Sequence, residues 1–162
     1  MLLFKMKITL VQTGKTGEKY ISDGVAEYSS RIRKYAPFET ITIPDLKNTK
    51  NMPLDEQRQK EGRQILQLIL NDDFVIVLDD KGKEYTTVEF ASRMEKIFQM
   101  SKKRAVFVIG GPWGFSADVY ARADLKMSLS RLTFSHQMVR LLFAEQLYRV
   151  FTVIKGDPYH HD

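Results

Sequence analysis

The sequence predicts an α/β fold: one domain, residues 1–162, on an open, mostly parallel sheet with helices on both faces. Three observations carry this. Strand-like and helix-like patterns alternate along the whole chain, the mark of βαβ units. Residues 74–78 (Phe-Val-Ile-Val-Leu) and 105–109 (Ala-Val-Phe-Val-Ile) are continuously apolar over strand length, as parallel strands covered on both faces are. No repeat, low-complexity stretch or linker divides the 162 residues, and that length suits one domain with a proper core.

The elements follow in order. Residues 7–11 are a short β-rich run. Ile21, Val25, Tyr28, Ile32 and Tyr35 then recur at spacings of 4, 3, 4 and 3, which is one face of a helix; Pro37 closes it. Residues 38–43 alternate as a second strand that Pro44 ends, and residues 44–53 form a polar loop. Residues 54–70 read as a helix with Ile65, Leu66 and Ile69 inward. After the 74–78 strand, residues 79–83 are a polar exit. Thr86 and Glu89 have capping-box spacing and open a helix with Ala91, Met94 and Phe98 inside. The 105–109 strand leads into Gly110-Gly-Pro-Trp-Gly114, a short helix over about 116–123 and a weaker strand at 126–129. Ser135 is placed to cap the last helix, about 136–154.

That last helix is apolar nearly all round: Met138, Val139, Leu141, Leu142, Phe143, Leu147, Tyr148, Val150, Phe151 and Ile154 leave little polar circumference. Such a helix is covered on more than one side. In a chain this small a second subunit is the expected cover, so a homodimer is expected; a central position in the core is the alternative.

Lys and Arg number 25 against 20 Asp and Glu, a formal net charge of +5. The excess is spread rather than run into a block. It fits an ordinary basic surface or a polyanionic partner such as nucleic acid. There is no cysteine, which excludes disulfides and thiolate chemistry. No apolar run approaches the ~20 residues of a membrane span, and residues 1–5 are too short for a signal peptide; they read as an extension before the first strand. A cytoplasmic location is the expectation.

Several chemistries lack their motif. There is no GxGxxG with an acidic residue beyond it, no Gly-Lys-Ser/Thr phosphate loop and no GxSxG nucleophile elbow. Three histidines without ligand spacing give no metal site. What remains is positional. Open α/β sheets bind ligands at the carboxyl ends of their strands, and Leu78, Gly110 and residues 129–134 all fall at such ends on three consecutive strands. Glycines there let backbone groups approach a planar ligand such as an adenine edge. Taken alone, the glycine loop fits a tight strand–helix turn with no ligand equally well.

Val108-Ile-Gly-Gly-Pro-Trp-Gly114, Leu129-Ser-Arg-Leu-Thr-Phe134, His136, Arg140, Glu145-Gln-Leu-Tyr-Arg149 and Pro158-Tyr-His160 occur in one order. From about Met6 to the C-terminus this ordered set resembles the ribosomal RNA large subunit methyltransferase H family, SPOUT-class pseudouridine N3-methyltransferases. The resemblance implies a C-terminal trefoil knot, a homodimer, S-adenosylmethionine as methyl donor with no metal, and a pseudouridine of 23S rRNA as acceptor. The donor-binding positions carry over as Leu78, Gly110, Leu129, Ser130, Arg131, Leu132, Thr133 and Phe134. Two residues depart from the family pattern. Trp113 stands where a smaller or polar residue is more common, and alters the pocket rim or offers a base a stacking surface. Ser135 replaces a proline before the histidine.

A pseudouridine N3 carries a proton that must leave, so a base or a charge-stabilising cation helps. His160, Tyr159 and Arg140 are the candidate catalytic side chains, with His136 beside them. Tyr159 and His160 are expected to close over the target base; a frayed tail is the competing reading. Glu145 and Arg149 have i,i+4 spacing and are expected to pair structurally. The small chain has little surface for reading RNA sequence, so the assembled ribosome is the expected substrate. Another RNA such as tRNA, or a non-catalytic ribosome-binding role on the same scaffold, are the other readings.

Overall fold

The computed structural model describes residues 2–161 and realises the alternation element by element. The strands are β1 (Lys7–Thr13), β2 (Phe38–Ile43), β3 (Phe74–Glu84), β4 (Arg104–Ile109) and β5 (Leu125–Ser128). The helices are α1 (Lys19–Ile32), α2 (Leu54–Gln67), α3 (Thr87–Phe98), α4 (Ala117–Arg122) and α5 (Met138–Lys155). The sheet order is β2-β1-β4-β3-β5, and every pairing is parallel. Gln12, Ile109, Leu78 and Met127 share one rung across four strands, which brings the carboxyl ends of β1, β4 and β5 level with the middle of β3.

Alternation along the strands builds two cores. Ile8, Leu10, Phe74, Ile76, Phe107 and Ile109 pack with Ile32, Met94, Phe143, Leu147 and Phe151 of α1, α3 and α5. Val75, Val77, Val106 and Val108 point the other way, onto Ile65, Phe115 and Val119 around α2 and α4. Both faces are therefore covered, and each fully buried aliphatic or Phe side chain contributes about 1.5–3 kcal/mol.

Helix α5 lies against both α1 and α3. Phe143, Leu147, Val150 and Phe151 are buried there, and none of residues 138–154 is exposed. A central position thus accounts for much of its apolar circumference within one chain. Gly24 of α1 permits the close crossing, since a Cβ there would lie 2.7 Å from Leu141 Cδ1. Among the described residues no helix is long and apolar enough to cross a membrane.

The capping box at Thr86 and Glu89 forms as expected, each residue accepting the other's backbone N–H. Ser135 Oγ accepts from Met138 N at 3.1 Å, so it caps the turn that leads into α5. One element departs from expectation. Residues 79–83, read as a polar exit, continue β3 to Glu84, with Lys83 opposite Met127 and Glu84 opposite Ser128. Gly82 explains this: a Cβ there would sit 2.6 Å from the Met127 backbone.

Candidate active site

A cavity of about 440 Å³ opens at the carboxyl edge of β3, β4 and β5. Its walls are residues 78–80 in the middle of β3, the glycine loop after β4, and the segment joining β5 to α5. Leu78, Gly110, Leu129, Ser130, Leu132, Thr133 and Phe134 all line it. Arg131 is the exception: its side chain is 88% exposed and turns to Glu84, Nε to Oε1 3.0 Å. The walls also include Asp79, Asp80, Ser128, His136 and Val139. The sequence signal for Asp79 and Asp80 was their place directly after Leu78, where they read only as the polar exit of the strand. A second cavity of about 310 Å³ shares Ser128, Leu129 and Phe134 with the first.

Local contacts fix the loop shapes. Buried Phe115 folds back under Gly110, where a Cβ would lie 2.9 Å from its ring. Gly114 has φ +81° and donates to Gly111 O at 3.3 Å, a left-handed turn position that favours glycine. Arg58 Nε donates to Trp113 O at 2.7 Å, anchoring the loop to α2. On the other wall, Ser128 Oγ donates to Ser130 O at 2.8 Å, and Ser130 Oγ accepts from Leu132 N at 3.0 Å.

Charge at the rim is set by Asp79. Burial raises its pKa, but donors from the Tyr120 hydroxyl (2.5 Å) and Lys81 N (3.0 Å) outweigh that and hold the carboxyl below its ordinary range. Burial, then Asp79, pushes Tyr120 up to about 12. At neutral pH the cavity wall therefore carries the Asp79 carboxylate, with the Tyr120 phenol protonated behind it.

The three candidate catalytic side chains fall in two other places. Arg140 is buried and does not line the cavity. Its Nη2 donates to Thr13 O at 2.6 Å and its Nη1 to Thr16 Oγ1 at 2.9 Å, which ties α5 to the loop after β1. Tyr159 and His160 dock on α5. The Tyr159 hydroxyl donates to Glu145 Oε1 at 3.1 Å, and its ring meets Tyr148 edge-on at 4.7 Å. Arg149 lies over the Tyr159 ring at 4.7 Å and donates to His160 Nδ1 at 3.2 Å. The expected Glu145–Arg149 pair forms, with Nε to Oε1 3.0 Å, and it also holds the tail. The tail is packed rather than frayed. On α5 the cavity wall reaches Val139; Arg149 lies about 15 Å further along the axis at ~1.5 Å per residue.

Residues 6–160 match the family model described as "Predicted SPOUT methyltransferase". The chain belongs to the SPOUT methyltransferase family. It is 51% identical over 156 residues to the ribosomal RNA large subunit methyltransferase H of Christiangramia forsetii, covering 96% of this chain and 99% of that one. To the protein of the same name from Parabacteroides distasonis it is 48% identical over 157 residues, covering 97% and 100%. A solved structure titled "Crystal Structure of Probable Methyltransferase from Bordetella pertussis Tohama I" is similar in fold, with TM-score 0.51 over 92% of this chain and 95% of that one, at 9% identity. The parallel α/β sheet described above is thus a SPOUT methyltransferase architecture, and the ordered motifs identified the family.

Proposed function

We propose that this SPOUT methyltransferase transfers a methyl group from S-adenosylmethionine to N3 of a pseudouridine in 23S rRNA, on the assembled ribosome, as a cytoplasmic homodimer carrying its family's C-terminal knot. The observation that carries the reading is the convergence of Leu78, Gly110 and residues 129–134 on one cavity. It occurs in a chain about half identical, over its whole length, to proteins named for large-subunit rRNA methylation.

The residues fit the donor. The cavity's volume of about 440 Å³ lies within the ~300–1,000 Å³ of small-molecule pockets. Leu78, Leu129, Leu132 and Phe134 suit the faces of an adenine, and the Gly110 and Gly111 backbone suits its polar edge. Asp79 and Asp80 suit a positively charged group. When bound, S-adenosylmethionine supplies a methyl group made electrophilic by its sulfonium.

The chain's own part is to hold the acceptor base close and to manage the N3 proton. Arg149 donates to His160 Nδ1, which orients the imidazole at the end of the chain. Burial, first, and its hydrogen bonds with Tyr28 and Glu145 raise the Tyr159 pKa, so its phenol stays protonated beside His160. Arg140 acts by position: its tie to Thr13 and Thr16 sets the first turns of α5, next to His136 and Val139. Because the tail docks on α5 between Glu145 and Arg149, about 9–15 Å along the axis from Val139 at ~1.5 Å per residue, the homodimer is read as bringing one protomer's tail to its partner's cavity.

The test is methyl transfer from labelled donor to three acceptors: ribosomes lacking the modification, a short free rRNA hairpin, and tRNA. Transfer to ribosomes alone is expected. Equal rates on the hairpin contradict the need for an assembled particle, and transfer to tRNA alone contradicts the rRNA acceptor.

A further inference from the structure

Trp113 is the only tryptophan of the chain and is 46% exposed. Its neighbours Gly111, Pro112 and Gly114 line the cavity, whereas Trp113 itself does not. The indole therefore lies outside the cavity wall, on the loop that borders it. The loop that carries it is held by the Gly114 turn, by Phe115 underneath, and by Arg58 Nε on Trp113 O. Arg58 has a further property: its two terminal nitrogens meet no acceptor among the described residues. An exposed indole, on a loop whose backbone carbonyl holds a guanidinium with free donors, matches the two parts of a nucleotide, base and phosphate. The chain's net charge of +5 favours a polyanionic occupant over an acid-binding or purely apolar one.

We propose that Trp113 and Arg58 form a nucleotide-binding rim: Trp113 stacks on an unpaired base flanking the target in the acceptor RNA, and Arg58 takes that nucleotide's phosphate. The flanking nucleotide is specified by position, because the cavity proper lies inside the rim. This rests on the reading that the acceptor is RNA.

Steady-state methyl transfer to unmodified ribosomes tests it with W113F, W113L and R58Q, alongside calorimetric binding of S-adenosylmethionine and thermal melts to confirm folding. Stacking of one base predicts a KM for ribosomes raised about tenfold in W113L. W113F stays within about twofold of wild type, with kcat and donor affinity unchanged in both. R58Q flattens the salt dependence of KM by about one unit of log–log slope. A wild-type KM in W113L overturns the proposal, and so does a KM rise matched by an equal loss of donor affinity. If wild-type protein transfers nothing to ribosomes, the functional reading has failed, and fluorescence decides the rim separately. All tryptophan emission comes from Trp113. Quenching by a single-stranded uridine-rich oligonucleotide, weakened in R58Q, supports the rim. Unchanged emission while polarisation of a labelled oligonucleotide reports binding overturns it.

Discussion

The Tyr159 hydroxyl donates to Glu145 Oε1 at 3.1 Å, a bond that pins the end of the chain to the middle of α5. With Arg149 on His160 and over the Tyr159 ring, it presents an aromatic and an imidazole as one preformed unit. Truncation after Asp157 removes this unit without touching the cavity wall. The expected outcome is loss of methyl transfer by at least about 100-fold, the scale of positioned acid–base groups, with donor affinity within about twofold by calorimetry. Unchanged turnover would leave the tail without a chemical role.

Gly110 sits where the strand end meets the cavity. A Cβ there lies 2.9 Å from Phe115 Cε1, so Gly110→Ala displaces the ring beneath the loop. Overpacking of this kind costs about 1–3 kcal/mol, read by urea unfolding, and donor affinity is expected to fall about tenfold or more. A G110A protein that binds donor as wild type places the donor elsewhere.

Arg140 separates positioning from chemistry. In Arg140→Met the carbonyl of Thr13 loses its donor inside the core, at a cost of about 1–3 kcal/mol, visible as a lower Tm. Activity measured well below the new Tm is expected to fall less than in the tail truncation. Abolished turnover with an unchanged Tm would instead put the guanidinium in the reaction.

Asp79 and Tyr120 give a pH signature. Because the folded Asp79 carboxyl is more acidic than in the unfolded chain, its stabilisation is present above the ordinary carboxylate range and is lost as pH falls through its folded pKa. Tyr120→Phe removes one donor and is expected to lower stability by about 1 kcal/mol at neutral pH. The difference from wild type shrinks as the pH drops below about 4. A constant difference across that range, in urea unfolding at each pH, contradicts the assignment.

Much of this was legible because it is local. Phe74 to Leu78 and Ala105 to Ile109 announced buried parallel strands, and Thr86 with Glu89 a capped helix; Ser135 bonds Met138 N, but the N-cap of α5 is Gln137. Leu78 and Gly110, read as following strand ends, located the cavity from the general behaviour of open sheets, although β3 itself runs on to Glu84. What escaped depends on distant partners. Arg140 reads as a candidate catalytic cation in sequence, yet its acceptors lie 124 and 127 residues away and hold it in the core. Arg131 sits inside the right segment, but Glu84 draws its side chain outward. Residues 79–84 look like a turn because Asp, Lys and Gly are poor strand formers; the close approach of Gly82 to Met127 overrides that preference.

The most direct test uses methyl-labelled S-adenosylmethionine with pseudouridine-containing ribosomes that lack the modification, followed by mapping of the label in the rRNA. The account predicts label on N3 of a single pseudouridine of 23S rRNA. Donor binding without label in that rRNA, or label on a different atom or an unmodified uridine, would contradict it.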